Sequence, residues 1–537
     1  MKYRPTYFPR FMQTSSDRKL PLYVIFPILF CLGYLLANPG FFSQPYQETG
    51  DYAANALQIW KAGKFEETLG AYSRFLVNHP GPIVFYYLAL AEKIFFFVRS
   101  PHGAHSIGIV FYNLIFLLIG LKIFYSSSLT FSRRTMPIPG LQEPGSFQTG
   151  SDTKSEENRS TALLFASLVI GLIPLLPNAF SNIWGPGVVL LPTLVLILSL
   201  TDFSQGSIRN FFWVIVCSNI IVQNQIVGIS FIVPMFAVGS FYFYKNKGLS
   251  RYKTREFGLN VLLAITFTII CWIPPLVEQF TNSPGNLSKI FGLALKNSTF
   301  HKLGPTLQYV LSYYVSPLSI PKQIPALLVV GILFGIPIFR KDKLQEFDRS
   351  LLKILIWSFF ITLFGAFKMK GGQISHIYWF TYVLAGLLYY LNLKVILSKL
   401  DFPSTRNFRI YSISIVFLCI AIYGKNTEFE YDNRPEKFLT ALSPQKENKY
   451  RILWKSDPKD FGQGDLALGI LLRLTREGYN VCLNEEWHFL VPRSFRCPDS
   501  EPAITIILET PEKESEEFQL LNKNSFHYKS TILRIIE

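Results

Sequence analysis

Long apolar runs alternate with short polar segments along most of the chain. Runs of roughly 17–22 residues recur between residues 20 and 424, and each is long enough to cross about 30 Å of hydrocarbon as a helix. The clearest runs lie at residues 22–37, 160–177, 259–275, 324–339, 351–367 and 410–423. One such run is also typical of a buried helix in a soluble core. So many in one chain predict an α-helical polytopic membrane protein.

The pattern changes near residue 425, where the chain takes on the composition of a soluble domain. Short segments at residues 451–454, 480–483 and 503–508 predict strands, and residues 464–477 predict a helix that Gly478 is well placed to end. Strands alternating with a helix predict a small α/β module. We therefore divide the chain into a transmembrane domain, residues 1–424, and an α/β domain, residues 425–537.

Composition and charge agree with a membrane location. Only 16% of the residues are charged, against about 25% in soluble domains. The net charge of +16 would suit nucleic acid, but the basic residues cluster in short loops at residues 2–19, 245–255, 340–349 and 399–409. That distribution is typical of cytoplasmic loops, so the expected partner is the lipid bilayer and not nucleic acid.

Placing those clusters inside puts residues 38–82, 275–322 and 368–375, together with the C-terminal domain, on the outer side. We expect a bacterial inner-membrane protein whose C-terminal domain is periplasmic. There, Cys482 and Cys497 either form a disulfide or remain two free thiols. The other four cysteines, Cys31, Cys217, Cys271 and Cys419, lie in apolar runs and are expected to be packing residues.

Two apolar segments, residues 82–98 and 107–125, are inconsistent with this topology if both cross the membrane. If both crossed the membrane, residues 126–159 would lie outside, whereas the remaining loops require them inside. The number of crossings must be odd, about 11 or 13. Either one of the two segments is interfacial or re-entrant, or a further span is hidden.

The first outer loop carries two carboxylates, Glu48 and Asp51, directly after a predicted span. A carboxylate at the bilayer edge can act as a base on an incoming hydroxyl or amine, or bind a divalent metal such as Mg²⁺ or Mn²⁺. A helix is predicted at residues 53–60, and Thr49 and Asp51 are equally well placed merely to cap it. On spacing alone, a catalytic or metal-binding role for these carboxylates and a helix-capping role both stay open.

The outer loops also carry polar and cationic residues that suit a phosphate-bearing lipid, because lysine neutralises phosphate as a point charge. Ordinary interfacial lysine is the alternative for each cation. The residues predicted to bind substrate are His79, Glu278, Gln279, Asn286, Lys289, Lys368, Lys370 and His376. The sequence contains no P-loop, Rossmann glycine fingerprint, HExxH or CxxC motif.

The order of these motifs resembles the GT-C glycosyltransferases, the superfamily of protein O-mannosyltransferases and bacterial aminoarabinose transferases. The resemblance extends from about residue 20 to residue 424. It rests on Gly50-Asp51-Tyr52 with Glu48, on His79-Pro80-Gly81-Pro82 before Phe85-Tyr86-Tyr87, and on residues 182–186, 223–228, 272–279 and 284–287.

The resemblance implies an inverting transfer of sugar from a polyprenyl-phosphate donor to a glycan, lipid or protein acceptor on the outer face. It makes Asp51 the catalytic base, with Glu48 in reserve. Two departures count against a metal: Gly50 and Tyr52 flank Asp51 where the family often has a second acid, and Gln225 stands where relatives favour histidine. The second departure, Gln225 in place of histidine, also counts against catalytic activity itself.

Two other functions compete with the enzyme. The first alternative is a membrane transporter or lipid-linked glycan flippase, which predicts ionisable residues in mid-span, with Glu92-Lys93 as the clearest case. The second is a non-catalytic receptor or scaffold that uses the outer domain, which would tolerate the loss of Asp51.

Overall fold

A computed structural model describes most of the chain. The described residues are 21–45, 48–73, 75–134, 150–175, 178–246, 255–296, 300–321, 323–399, 433–454, 462–498, 500–511, 515–522 and 524–536. The predicted span at residues 410–423, the basic cluster at residues 2–19 and Cys419 lie outside them. Within them, a helical bundle is followed by a small sheet domain.

The bundle is built from helices whose apolar residues face either the core or the surroundings. In the described part of the chain they are α1 (Leu22–Ala37), α2 (Gly40–Ser43), α3 (Gly50–Ala62), α4 (Ile83–Ile94), α5 (Pro101–Arg134), α6 (Gly150–Leu172), α7 (Gly185–Val188), α8 (Leu190–Ser204), α9 (Phe211–Asn224), α10 (Gly228–Lys245), α11 (Arg255–Thr281), α12 (Asn286–Leu295), α13 (Leu303–Val315), α14 (Ala326–Phe339), α15 (Glu346–Phe367) and α16 (Thr381–Ile396).

Ten of these segments have the character of membrane spans. Five are long and apolar enough to cross a bilayer: those built on α5, on α7 with α8, and on α10, α11 and α15. Five shorter apolar helices, α1, α6, α9, α14 and α16, accompany them. The predicted polytopic α-helical fold is therefore confirmed.

Contacts at the helix ends define two faces of the bundle. The first loop contacts the C-terminal domain through an ion pair of Glu48 and Arg476 at 2.9 Å, and we call this face the domain side. On the opposite face, the far side, Lys394 near the end of α16 pairs with Asp348 near the start of α15 at 2.7 Å. The basic turn Lys341–Lys343 directly precedes α15, so this predicted inside cluster lies on the far side.

Helix α4 does not cross the bundle. Its 12 residues span about 18 Å, well short of the roughly 30 Å of a bilayer core. At its start, the Ile83 N–H donates to Gln223 Oε1 at the domain-side end of α9 (3.4 Å). Just past its end, the Arg99 N–H donates to the carbonyl of Phe42, beyond α1, at 3.2 Å. These contacts favour the interfacial alternative for residues 82–98, which leaves a single predicted crossing, by α5, in this part of the chain.

The predicted outer loop at residues 275–322 also contains helices, α12 and α13, on the domain side. The hydroxyls of Tyr309 and Tyr313 on α13 donate to the carbonyls of Ile374 and Ser375, at 2.7 and 2.5 Å. The loop at residues 368–375 therefore packs against the longer one, and the two predicted outer loops form one surface.

The C-terminal domain has two helices and six strands in its described part. They are α17 (Arg434–Leu442), β1 (Lys449–Trp454), α18 (Gly462–Arg476), β2 (Asn480–Leu483), β3 (Ile504–Glu509), β4 (Ser515–Asn522), β5 (Ser525–Lys529) and β6 (Thr531–Ile536). The strand order is β2-β1-β3-β6-β5-β4. Strand β1 pairs in parallel with β2 and β3, and the remaining pairs are antiparallel. The predicted strands and helix correspond to β1, α18, β2 and β3, whereas β4 to β6 were not predicted.

The first loop is part of the core of this domain. Ala53, Ala54, Ala56 and Leu57 of α3 are fully buried in the hydrophobic cluster that also holds α18 and the sheet. The opposite side of α3 reaches the bundle through Ile59. Helix α3 therefore fixes the sheet domain against the bundle. In the same domain a disulfide joins Cys482 to Cys497, whose Cα atoms lie 5.6 Å apart.

Candidate active site

Asp51 lies in the first turn of α3, on the domain side, and its side chain is exposed. The hydroxyl of Tyr72 donates a hydrogen bond to Asp51 Oδ1. Burial, followed by the charge of Asp51, raises the pKa of Tyr72, so the phenol stays protonated and keeps donating. Thr49 precedes the helix without a capping side-chain hydrogen bond. The result is an accessible, oriented carboxylate at the positive end of a helix.

The C-terminal domain brings a second carboxylate to this place. Gly50 has a φ of +54°, and a Cβ there would lie 2.6 Å from Asp465 Oδ1 on α18. Only glycine fits both the backbone conformation and the close approach. Gly50 thus allows Asp465 to lie directly beside the residue that precedes Asp51.

Glu48, the other carboxylate of the first loop, forms a buried ion pair. Its side chain is buried and accepts two hydrogen bonds from the Arg476 guanidinium, at 2.9 and 3.1 Å. Burial alone would raise the pKa of Glu48, but the charge and hydrogen bonds of Arg476 outweigh it and lower the pKa to about 2. A carboxylate held this way is a weak base, so Glu48 is better suited to hold α18 against the first loop.

His79 ends a short hairpin in the first loop. Its N–H donates to the carbonyl of Ala71 at 2.7 Å, and its carbonyl accepts from Gly70 at 3.0 Å. The imidazole Nδ1 accepts from the Ile226 N–H at 3.1 Å. Burial lowers the pKa of His79 to about 4, so the ring is neutral near pH 7 and can accept this bond. Since the same hairpin carries Tyr72, it couples His79 to Asp51.

The motifs near residues 182–186 and 223–228 meet this hairpin. Gln223 donates to the carbonyl of Cys271 at 2.8 Å and accepts from the Ile83 N–H at 3.4 Å. Gln225 donates to the carbonyl of Ile377 at 3.1 Å, next to His376. The His376 ring lies 4.6 Å from the Trp184 ring, centre to centre. Residues from three separate loops therefore line one surface beside the first loop.

Glu278 and Asn286 hold the long loop in place. Asn286 exchanges two hydrogen bonds with the backbone of Asn78, at 2.9 and 3.0 Å, and its own N–H donates to Glu278 Oε2 at 2.7 Å. From the C-terminal domain, Arg493 lies 3.7 Å from Glu278 Oε1 and donates to Asn282. Both predicted site residues thus position the hairpin of His79 and anchor the sheet domain.

The remaining predicted residues lie at the edge of this surface. Gln279 exchanges hydrogen bonds with Ser288, at 2.7 and 3.0 Å. Lys289 is exposed on α12. Lys368 lies over the ring of Phe364, 4.9 Å from its centre, and Lys370 donates to the carbonyl of Leu293. Lys289 and Lys370 therefore lie at α12, whose first residue, Asn286, contacts the His79 hairpin, and Lys368 lies beside Phe364 near the end of α15.

Sequence reasoning missed five side chains at this site: Glu67, Tyr72, Asp465, Arg476 and Arg493. Four of them have partners that lie far away in the chain, and Glu67, whose partners are its neighbours, is distinguished only by its burial. Glu67 is buried, and its Oε1 accepts from the N–H groups of Thr68 and Leu69 at 2.9 Å each. Burial raises the pKa of Glu67 to about 7. Among the described residues, no group of three or more His, Cys, Asp or Glu could hold a metal ion.

The fold is similar to that of solved structures, two of which are of ArnT. ArnT from Cupriavidus metallidurans bound to undecaprenyl phosphate matches 95% of this chain and 97% of its own, with a TM-score of 0.54 and 10% identity. The apo state of that protein matches over the same shares, with a TM-score of 0.54 and 11% identity. ArnT is a glycosyltransferase of the GT-C type. The chain has a GT-C-like fold.

This GT-C-like fold confirms the resemblance drawn from the motifs. Together with the apolar helices, it establishes an integral membrane protein. No family model and no curated protein matches the sequence. An identity near 10% shows the fold alone, so the activity has to be argued from the site.

Proposed function

We propose that this protein transfers a sugar from a polyprenyl-phosphate donor to an acceptor on the domain side, the outer face of a bacterial inner membrane. The observation that carries the proposal is the position of Asp51: an accessible carboxylate on the domain side of a GT-C-like fold that extends over 95% of the chain. The match to ArnT bound to undecaprenyl phosphate supports a polyprenyl-phosphate lipid as partner.

In this mechanism Asp51 is the general base. It takes the proton from an acceptor hydroxyl or amine while that group attacks the anomeric carbon of the donor sugar. The bond from the anomeric carbon to the phosphate oxygen breaks, and polyprenyl phosphate leaves with the electron pair. A single displacement inverts the anomeric centre. Tyr72 orients the carboxylate by donating a hydrogen bond to its Oδ1.

The proposed substrate contacts come from the surface beside α3. His79, His376 and Gln279 offer polar groups for the sugar, and Lys289, Lys368 and Lys370 offer positive charge for the donor phosphate. Glu278 and Asn286 act indirectly in this scheme, since their side chains hold the His79 hairpin and the long loop.

In this proposal a divalent cation, Mg²⁺ or Mn²⁺, would enter the site together with the substrate phosphate. Asp51 and Asp465 would be its protein ligands, because Mg²⁺ commonly binds through one or two carboxylates, waters and a substrate phosphate. The ion would help neutralise the leaving phosphate. Turnover measured after chelation, and again after Mg²⁺ or Mn²⁺ is restored, tests this element separately.

The transporter alternative loses its main support in the described structure. Glu92 and Lys93, its clearest mid-span charges, lie on α4, which does not cross the bundle. Glu92 accepts a hydrogen bond from His105 at 2.9 Å, as a packing interaction between α4 and α5 would provide.

The deciding experiment measures loss of radiolabelled polyprenyl-phosphate sugars in proteoliposomes that contain the full chain. Asp51→Asn should lower turnover at least about 100-fold, because general-base catalysis typically contributes that much or more. Tyr72→Phe should lower it less. Glu66→Gln is the matched control, since Glu66 is an exposed carboxylate of the same loop. Equal turnover by Asp51→Asn and the wild type would refute the proposed base.

A further inference from the structure

We propose that helix α12 and the residues that flank it lie in the membrane leaflet on the domain side and bind anionic phospholipid. The surface involved runs from the end of α11 to the start of α13, and we call it the α12 surface. Its exposed apolar side chains are Phe280, Phe291, Leu295, Phe300 and Leu303, and its exposed cations are Lys289, Lys296 and Lys302. The proposal does not rest on sugar transfer, and its test measures lipid contact alone.

The α12 surface is strongly amphipathic. Its five apolar side chains are between 57% and 84% exposed, whereas Asn286 and Ile290, on another face of α12, are buried against the protein. A contiguous group of exposed apolar side chains marks a surface that contacts a membrane or another protein. A helix that presents phenylalanine and leucine together with lysine is typical of helices lying in the plane of a membrane interface.

Contacts with two spans place this surface at the edge of the bilayer and so favour a membrane over a soluble partner. The span formed by α11 ends at Thr281, directly before α12. The ring of Phe300 lies 5.1 Å, centre to centre, from the ring of Phe367, the last residue of the span α15. The N–H of His301 donates to the Phe367 carbonyl at 3.0 Å. A bilayer that covers both spans therefore reaches the α12 surface.

The charge of the surface selects anionic lipid. The chain has no aspartate or glutamate between residues 279 and 341, nor between residues 349 and 400, so neither segment supplies a counter-charge. Glu278, just before this stretch, already pairs with Arg493 at 3.7 Å. Among the described residues, no acidic side chain forms an ion pair with any of the three lysines. Uncompensated lysines at a membrane surface attract anionic headgroups.

Two of the lysines have no part in the proposed contacts with the donor. Lys296 follows the last residue of α12, and Lys302 precedes the first residue of α13. Each stands next to an exposed leucine of the surface, Leu295 or Leu303. Their ammonium groups can therefore meet lipid phosphates while the neighbouring side chains enter the apolar layer, so these two lysines are the ones to vary.

The test attaches a fluorophore to Ala294→Cys on α12 in the full chain, reconstituted in nanodiscs. Ala294 is exposed, whereas the native thiols Cys31, Cys217 and Cys271 are buried. The chain without the new cysteine, treated in the same way, gives the background. Quenching by phosphatidylglycerol that is spin-labelled near its headgroup is compared with quenching by equally labelled phosphatidylcholine at the same mole fraction. Phosphatidylglycerol should quench more strongly.

The double variant Lys296→Gln/Lys302→Gln, made on this background, tests the charge. It should lower the preference for phosphatidylglycerol at least about fivefold, the contribution typical of one lysine at an anionic surface. Lys437→Gln/Lys446→Gln is the matched control, because it removes two exposed lysines of the C-terminal domain, and it should leave the preference unchanged. Misfolding would lower quenching by both lipids, so a selective loss of preference identifies the lysines.

A second double variant, Phe291→Ser/Leu295→Ser, tests the apolar contact and should lower quenching by both lipids. Quenching of the labelled α12 by neither lipid would place the helix in water and overturn the proposal. Equal quenching by both lipids, or an equal loss of preference in the control variant, would overturn the selection of anionic lipid. If unlabelled polyprenyl phosphate displaced the spin-labelled lipid and unlabelled phosphatidylglycerol did not, the surface would belong to the donor instead.

Discussion

The ion pair of Glu48 and Arg476 should be a main determinant of how the C-terminal domain is held. Its two partners lie 428 residues apart in the chain, and the Glu48 side chain is only 1% exposed. Replacing Arg476 by methionine would leave a buried carboxylate without its counter-charge. Removing one partner of a buried pair typically costs about 3–5 kcal/mol.

The pKa of Glu48 leads to the same magnitude. Folding lowers it from 4.5 to about 2, and each pKa unit corresponds to about 1.4 kcal/mol, so the ionised Glu48 carboxylate contributes on the order of 3 kcal/mol. A lowered carboxylate pKa gives stability that is fully present above pH 4.5 and is lost as the pH falls towards 2. We therefore expect Arg476→Met to lower the melting temperature strongly near neutral pH, and much less at about pH 3.

The assay is thermal unfolding of the full chain in detergent, with limited proteolysis of the C-terminal domain as a second readout. The matched control is the double variant Glu48→Gln/Arg476→Met, which removes both charges and should recover much of the lost stability. If the double variant were destabilised as much as Arg476→Met alone, the loss would come from packing, and the electrostatic reasoning would fail.

Two further predictions concern the first loop. Gly50→Ala should lower both stability and turnover, because the alanine Cβ would lie 2.6 Å from Asp465 Oδ1 and the residue has a φ of +54°. Gly258→Ala is the control, since a Cβ at that position meets nothing within 4 Å. Glu67→Gln should raise the melting temperature at about pH 8 and much less at about pH 4. The reason is that folding raises the pKa of Glu67 from 4.5 to about 7. The wild type therefore loses stability as the pH rises between those two values, and the variant does not. A melting curve with the same pH dependence in wild type and Glu67→Gln would contradict it.

The sequence by itself determined the elements and their setting. Apolar runs predict spans, because each must satisfy its backbone in lipid through its own helical hydrogen bonds. The basic loops predict the far-side ends of α14 and α15. Strands β1 to β3 and helix α18 follow from local periodicity, which needs no knowledge of distant partners. The two carboxylates of the first loop could be found from their place after a span, and the resemblance to GT-C enzymes selected Asp51 between them.

Tertiary structure decided what each loop residue does. Residues 82–98 are apolar enough for a span, yet α4 stays on the domain side because both of its ends are hydrogen-bonded there. Glu48 and Asp51 are three positions apart and equivalent as sequence, but Arg476 takes the first and Tyr72 the second. These partners come from other parts of the chain, and a carboxylate's role depends on burial and on the charges around it. Only the folded structure determines that burial and those charges.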